Sequence, residues 1–353
     1  MPPTSVLVVD DSALMRRALK GILTAAGDFE VHTARNGVDA LDQLGRLRPD
    51  VVTLDINMPE MDGLTCLAKI MEEHPVPVVM VSSLTEHNAL VTLEALELGA
   101  VDYVPKPGGT VSLNIDEVSV ELVSKVRSAA SARLRSAGRV GARVRAQTAR
   151  AAAAPGRDIG AVGSVDLVLI GSSTGGPGLL SELLSELPAT FGAPLVVAQH
   201  IPASFTAPLA RRLDETCALR VHEVDRIMNL ERGNIYIGRG NADVVVARRT
   251  SALIVKSVPA AAEYRWHPSV DRLVASARRY IDPRRMVCAL LTGMGDDGAT
   301  EMAAVREGGG RTIAEAEETA VVWGMPGELA RRGGATVVLP SYEIAAKLTD
   351  WVR

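Results

Sequence analysis

The chain has 353 residues, enough for about two domains of ~150 residues each. Its 47% hydrophobic and 23% charged residues are the balance of a globular protein, no apolar run approaches the ~18 residues of a membrane span, and Met1-Pro-Pro-Thr-Ser5 lacks the basic and apolar segments of a signal peptide. A net charge of −4 with only 3% aromatic residues leaves neither a basic surface nor stacking platforms for nucleic acid. The expectation is a cytoplasmic protein with no membrane insertion and no nucleic-acid partner.

Charge divides the chain. Residues 1–125 hold 9 basic against 19 acidic residues, residues 126–164 hold 8 arginines against one aspartate, and residues 165–353 are close to neutral. The middle stretch, rich in Ala and Arg and poor in large apolar residues, reads as a linker that is partly helical at its start; its arginines also suit an acidic partner. Cys66, Cys217 and Cys288 are odd in number and far apart, which argues for small buried side chains rather than disulfides or a zinc site.

In the first block, Val6–Val9 is a short apolar run ending at Asp10-Asp11, followed by a segment of helical period from Ser12. Val51–Leu54 ends at Asp55, Val78–Val81 at Ser82-Ser83, and the run around Val101–Val104 at Pro105-Lys106-Pro107. Short apolar runs separated by helical segments suggest βα repeats and a parallel sheet buried on both faces. Asp10, Asp11 and Asp55 then converge at the carboxyl edge of the sheet. Three carboxylates that close need a cation, and oxygen ligands suit Mg²⁺. A carboxylate can also attack phosphorus, with Lys106 and the Ser82 hydroxyl placed to meet phosphoryl oxygens.

Asp10-Asp11-Ser12, Leu54-Asp-Ile-Asn-Met-Pro-Glu-Met-Asp-Gly63, Val81-Ser82-Ser83 and Val104-Pro-Lys-Pro107 resemble the motifs of response-regulator receiver domains over residues 4–125. The resemblance implies a flavodoxin-like (βα)₅ fold. It makes Asp55 the phosphoacceptor, Asp10, Asp11 and the Asn57 carbonyl metal ligands beside Asp55, Ser82 the switch hydroxyl and Lys106 the phosphate-contacting lysine. It also implies a cis bond between Lys106 and Pro107. Tyr103 falls at the aromatic switch position, or is an ordinary strand tyrosine.

In the second block, Val165–Ile170 leads into Gly171-Ser-Ser-Thr-Gly-Gly-Pro177 and then a helical segment. Strand, glycine-rich turn and helix are the setting of a G-x-S-x-G nucleophile elbow, which places Ser173 at the tip. The same turn suits a phosphate cradle, although it has neither G-x-G-x-x-G nor a Walker lysine. Three of the six histidines lie in this block. His200 ends the apolar run 194–199 and faces the crevice expected at strand ends. His222 reads as an exposed strand residue, and His267, before a helical segment, is the rival base. Met286–Thr292 is a further buried strand running into Gly293-Met-Gly-Asp-Asp-Gly298, which offers Asp296 and Asp297. Ser, His and Asp in three loops at strand ends suggest acyl-transfer chemistry.

Ile170-Gly-Ser-Ser-Thr-Gly-Gly176, Ala198-Gln-His-Ile-Pro202, Pro268-Ser-Val-Asp271, Leu291-Thr-Gly-Met-Gly-Asp-Asp-Gly298 and Gly324-Met-Pro326 resemble the catalytic domain of the chemotaxis protein-glutamate methylesterases, over residues 165–353. The resemblance implies a second doubly wound α/β domain with a mostly parallel sheet. Ser173 becomes the nucleophile, His200 the base and Asp297 the acid, with Thr174 and Met294 as backbone candidates for the oxyanion site; His267 matches no catalytic position. It further implies removal of methyl esters from glutamates of methylated chemoreceptors with release of methanol, and deamidation of receptor glutamines. No cofactor is expected in this domain. The receiver, phosphorylated with Mg²⁺ by a chemotaxis histidine kinase, is expected to cover the cleft until phosphorylation loosens it. Two other classes stay open, a receiver-controlled docking module without activity and a receiver-driven transcription factor; the size and near-neutral charge of the second block disfavour the latter.

Overall fold

The computed structural model describes residues 2–83, 85–106, 115–132 and 165–353, and the chain divides into two bodies, Met1–Leu134 and Arg135–Arg353. The first alternates β1 (Thr4–Val9), α1 (Ala13–Ala25), β2 (Phe29–Ala34), α2 (Gly37–Leu47), β3 (Val51–Asp55), α3 (Gly63–Glu73), β4 (Val78–Ser82), α4 (Glu86–Leu98), β5 (Asp102–Pro105) and α5 (Ile115–Ala130). Its parallel sheet runs β2-β1-β3-β4-β5, the flavodoxin-like order. Strands buried along their whole length, such as β3 and β4, explain why the sequence shows continuous apolar runs and not alternation.

Local chemistry sets the helix starts. Ser12, Asn36, Asp62 and Thr85 each accept a hydrogen bond from the backbone amide three residues on, a cap worth about 1 kcal/mol apiece. The last helix, α5, continues past residue 125, and Val126 and Ala129 are fully buried. The start of the Ala/Arg-rich stretch therefore belongs to the core of the first body, because its apolar spacing still matches a helix face.

The second body contains β6 (Leu167–Ser172), α6 (Gly176–Ser185), β7 (Leu195–Gln199), α7 (Ala203–Thr216), β8 (Arg220–Val224), β9 (Met228–Asn229), β10 (Asn234–Gly238), β11 (Ala242–Arg249), β12 (Ala252–Pro259), α8 (Val270–Arg278), β13 (Met286–Leu290), α9 (Ala299–Glu307), β14 (Arg311–Glu315), α10 (Met325–Arg331), β15 (Val337–Leu339) and α11 (Ser341–Val352). Seven strands form an all-parallel sheet in the order β15-β14-β13-β6-β7-β10-β8. The antiparallel ribbon β11-β12-β9 is a separate sheet.

One core layer joins Leu167 and Leu169 of β6, Val196 and Ala198 of β7 and Met286, Cys288 and Leu290 of β13 to Val270, Leu273, Val274 and Ala277 of α8. Each such leucine removed from water contributes roughly 1.5–3 kcal/mol. The intervening Val168, Ile170 and Val197 are equally buried on the opposite face, as a sheet covered on both sides requires. The chain leaves β6 for β7 on one side and later returns to β13 on the other. Crevices at strand carboxyl ends form at such a switch point, so the fold opens a site where β6 ends.

Cys66 and Cys288 are buried and Cys217 partly so, all three as free thiols; burial pushes Cys66 and Cys288 up to about 12. No described helix is long and apolar enough to cross a membrane.

Candidate active site and acidic pocket

The strand β6 ends at Ser172, paired in register with Gln199 at the end of β7. Ser173 and His200 are each one residue further, at neighbouring strand ends. The two serines of the turn have different environments. Ser172 is fully buried and its Oγ donates to Gln199 Oε1 at 2.6 Å, whereas Ser173 is half-buried at the tip. The Gln199 amide also donates to the carbonyls of Ser173 (3.0 Å) and His200 (2.9 Å), so one buried side chain ties both strand ends together. Gly175 has φ +76°, and a Cβ there would stand 2.6 Å from Val321; the turn needs glycine for both conformation and space.

His200 is 8% exposed in its side chain, and its Nε2 lies 2.8 Å from Asp297 Oδ2. Its Nδ1 is buried with no hydrogen-bond partner. An ionised Asp297 can only accept, so the Nε2 edge faces the acid as donor and Nδ1 is the edge left over. The ring is thus turned in the reverse sense to the serine-protease template, where Nδ1 faces the acid. Trp266 stacks on the imidazole at 5.5 Å between centroids and 15° between planes.

Asp297 sits in the loop between β13 and α9, on the other side of β6. Its carboxylate accepts from Ser269 Oγ (3.0 Å), Val270 N (2.7 Å) and Asp271 N (3.0 Å) as well as from His200. Burial alone raises its pKa, but the His200 hydrogen bond and charge, followed by the Asp271 and Val270 amides, hold it below the ordinary carboxylate range. The neighbouring Asp296 is exposed, 3.5 Å from Arg332.

The rival histidines are engaged elsewhere. His267 Nδ1 lies 3.0 Å from Asp243, and His222 Nε2 is 2.8 Å from Asn234 Oδ1 on the edge strand β8.

Of the oxyanion candidates, Thr174 is buried with its carbonyl accepting from Thr292 Oγ1, and Met294 is half-buried in the β13–α9 loop. That loop presses on the turn. The Ser173 amide donates to the Thr292 carbonyl at 2.9 Å, and a Cβ on Gly293 would come within 2.8 Å of Ser173 Cβ. Thr292 N is in turn held by the buried Glu315 carboxylate at 2.7 Å. Sequence reasoning missed Gln199, Trp266, Ser269 and Glu315. Gln199 and Ser269 stood inside recognised motifs, but nothing in their spacing announced a task.

In the first body, single ligand oxygens of Asp10, Asp11 and Asp55 lie within 4.8 Å of one another. Lys106 Nζ is 2.7 Å from Asp55 and 3.2 Å from Asp10. Asp55 Oδ1 is buried without a hydrogen-bond partner. All-oxygen donors with an unpartnered buried carboxylate oxygen fit a hard divalent cation. Burial raises the Asp55 pKa most; Lys106 opposes this and the Asp10 charge adds to it, leaving the group above its ordinary value. Asn57 is exposed two residues on. The Ser82 hydroxyl is buried and bonded to Thr92 Oγ1 (3.1 Å) and the Ser83 carbonyl (3.3 Å). Tyr103 is 3% exposed, with Lys125 Nζ 4.7 Å from its ring centroid; burial drives its phenol well above the usual range. The cis bond expected before Pro107 lies outside the described residues; His267–Pro268 is cis.

The family described as CheB methylesterase matches residues 168–348, and the response regulator receiver domain matches residues 6–114. The chain belongs to the CheB methylesterase family. It is 55% identical to protein-glutamate methylesterase/protein-glutamine glutaminase 2 of Rhodopseudomonas palustris, over 98% of this chain and 97% of that one. Likewise, it is 54% identical to the enzyme numbered 3 of that name in Rhodospirillum rubrum, over 99% and 96%. The crystal structure of the Thermotoga maritima CheB methylesterase catalytic domain covers 53% of this chain and 99% of its own, with TM-score 0.51 and 37% identity. Family membership and the parallel sheets agree with the sequence expectation for both domains.

Proposed function

We propose that this protein hydrolyses the methyl esters of glutamate side chains on chemoreceptors, releasing methanol, that it deamidates receptor glutamines by the same route, and that phosphorylation of Asp55 activates it. The observation that carries the catalytic half is the His200–Asp297 hydrogen bond with Nδ1 left free at the strand end beside Ser173. The names of full-length relatives support the substrate class.

In this reading the chain is a receiver over 4–125, whose last helix runs on to Ala130, a linker over the remainder of 126–164 and a catalytic domain over 165–353. Ser173 Oγ attacks the ester carbonyl while His200 Nδ1 takes its proton. Asp297 keeps the other ring nitrogen protonated and stabilises the imidazolium. Backbone amides at Thr174 and Met294, with the amino end of α6, receive the oxyanion. Collapse passes the proton from His200 to the leaving methoxide, giving methanol. Water then adds to the acyl-enzyme, again giving a proton to His200, and glutamate leaves as Ser173 is restored. With glutamine the leaving group is ammonia.

Asp55 is the phosphoacceptor in the receiver, and a chemotaxis histidine kinase is the donor. Asp10, Asp11, Asp55 and the Asn57 carbonyl would hold Mg²⁺, which supplies charge neutralisation at the phosphoryl oxygens. Lys106 and Ser82 meet those oxygens, and Tyr103 responds to the move of Ser82. The unphosphorylated receiver restrains the catalytic domain.

Methanol release from methylated receptor membranes, measured with and without Mg²⁺ and a small phosphodonor, tests both halves. Wild type is expected to release methanol faster with phosphodonor. Ser173→Ala is expected to lose at least a thousandfold in rate, as removing a nucleophile does, and Asp55→Ala to keep basal release without stimulation. A folded Ser173→Ala that still turns over would sink the mechanism.

A further inference from the structure

The contacts that hold His200 and Asp297 come largely from one stretch, the strap of residues 260–269 between β12 and α8 together with the first two residues of α8. Trp266 stacks on His200. Ser269 Oγ and the amides of Val270 and Asp271 donate to Asp297. This strap has its own anchor, Asp243, at the start of β11 opposite Val258.

Asp243 is completely buried. Its Oδ1 accepts from Ser269 N (2.8 Å) and faces His267 Nδ1 (3.0 Å), and its Oδ2 accepts from Ala261 N (3.1 Å) and the Arg272 guanidinium. Arg272 also reaches the Pro259 carbonyl at 2.8 Å. One carboxylate therefore grips the strap at both ends and on the helix that comes after it. Ser269 is the bridge between two buried acids, giving its N–H to Asp243 and its O–H to Asp297.

We infer that Asp243 is a positioning residue for hydrolysis: through Ser269 and Trp266 it sets the orientation of Asp297 and of the His200 ring. A carboxylate with four donors fixes the strap more narrowly than packing does, since each charge-assisted bond is directional and about twice as strong as a neutral one. Misplacement of a reacting group by ~1 Å costs on the order of a hundredfold in rate, so small freedom in the strap is expected to appear in kcat rather than in binding. This inference rests on the proposed roles of Ser173, His200 and Asp297.

The test uses full-length protein with Mg²⁺ and phosphodonor, with Ser173→Ala beside it. Asp243→Asn keeps the size and one acceptor but loses the charge; Ser269→Ala removes the bridge while leaving Asp243 in place; Ser269→Thr restores the hydroxyl. Circular dichroism checks the fold of each. Expected are a ten- to hundredfold fall in kcat, on the scale of such misplacement, with KM nearly unchanged for Asp243→Asn and Ser269→Ala, and recovery in Ser269→Thr. Nitrogen-15 shifts of the His200 ring are expected to show loss of the single Nε2–H tautomer in the two impaired variants. Should Asp243→Asn not fold, Ser269→Ala decides. Wild-type kcat in folded Asp243→Asn or Ser269→Ala, or a fallen kcat with the tautomer intact, overturns the role of Asp243 alone. Continued turnover by Ser173→Ala overturns the catalytic assignment and this inference with it.

Discussion

Ser172 and Ser173 carry the same hydroxyl one peptide apart, and Asp296 and Asp297 the same carboxyl. What separates them is which atoms are already bonded. Gln199 consumes Ser172, and Arg332 and solvent take Asp296, while Ser173 stands at the turn tip and Asp297 on His200. The G-x-S-x-G spacing pointed to Ser173 because the middle residue of such a strand-to-helix turn stands at its tip; no local signal distinguished the two aspartates, and only the family resemblance chose between them. A further residue-scale consequence concerns Asp271, which burial, opposed by amide hydrogen bonds and reinforced by the Asp297 charge, raises to about 6. A carboxyl whose folded pKa exceeds its unfolded one binds protons more tightly in the native state, so its contribution to stability falls as pH rises from about 4 to about 6. Asp271→Asn, which keeps an acceptor for the Glu301 amide, is expected to remove that part of the slope when denaturant midpoints are compared across this range.

At the scale of elements, the site depends on glycine turns that let three strand ends meet. Gly293 follows β13 where the Ser173 turn and α10 converge. A Cβ there would lie 2.4 Å from Met325 Sδ and 2.8 Å from Ser173 Cβ. Gly293→Ala is expected to cost about 1–3 kcal/mol, as overpacking in a dense core does. It is also expected to lower kcat by displacing Ser173, and urea unfolding with a turnover assay on the same preparation reads both. Strands buried on both faces were legible as apolar runs, and the first helix as the helical period that begins at Ser12. The strap between β12 and α8 was not, since its order comes from one distant buried carboxylate, Asp243, that looks like any residue opening a strand.

The two bodies differ in charge: the acidic first body gathers Asp10, Asp11 and Asp55 at one sheet edge, whereas the second is near neutral and its proposed hydrolysis relies on the buried Asp297–His200 pair. Removal of divalent cation is therefore expected to act on one of them. EDTA should abolish phosphodonor stimulation of methanol release while leaving basal release within about twofold, because no step in the proposed hydrolysis uses a metal; a proportional loss of both would overturn that division. By itself the sequence determined two α/β bodies and the acids, serine and lysine at successive strand ends, because the length of an apolar run and the residues that end it are local properties; for a serine–histidine–aspartate set it offered candidates, and the family resemblance chose among them. Only the tertiary structure decided that His200 presents Nδ1 and gives Nε2 to Asp297, that Gln199 locks the ends of β6 and β7, and that His267 belongs to Asp243. These depend on ring orientation and on hydrogen bonds between residues 24 to 97 positions apart, which register and packing set and composition does not record.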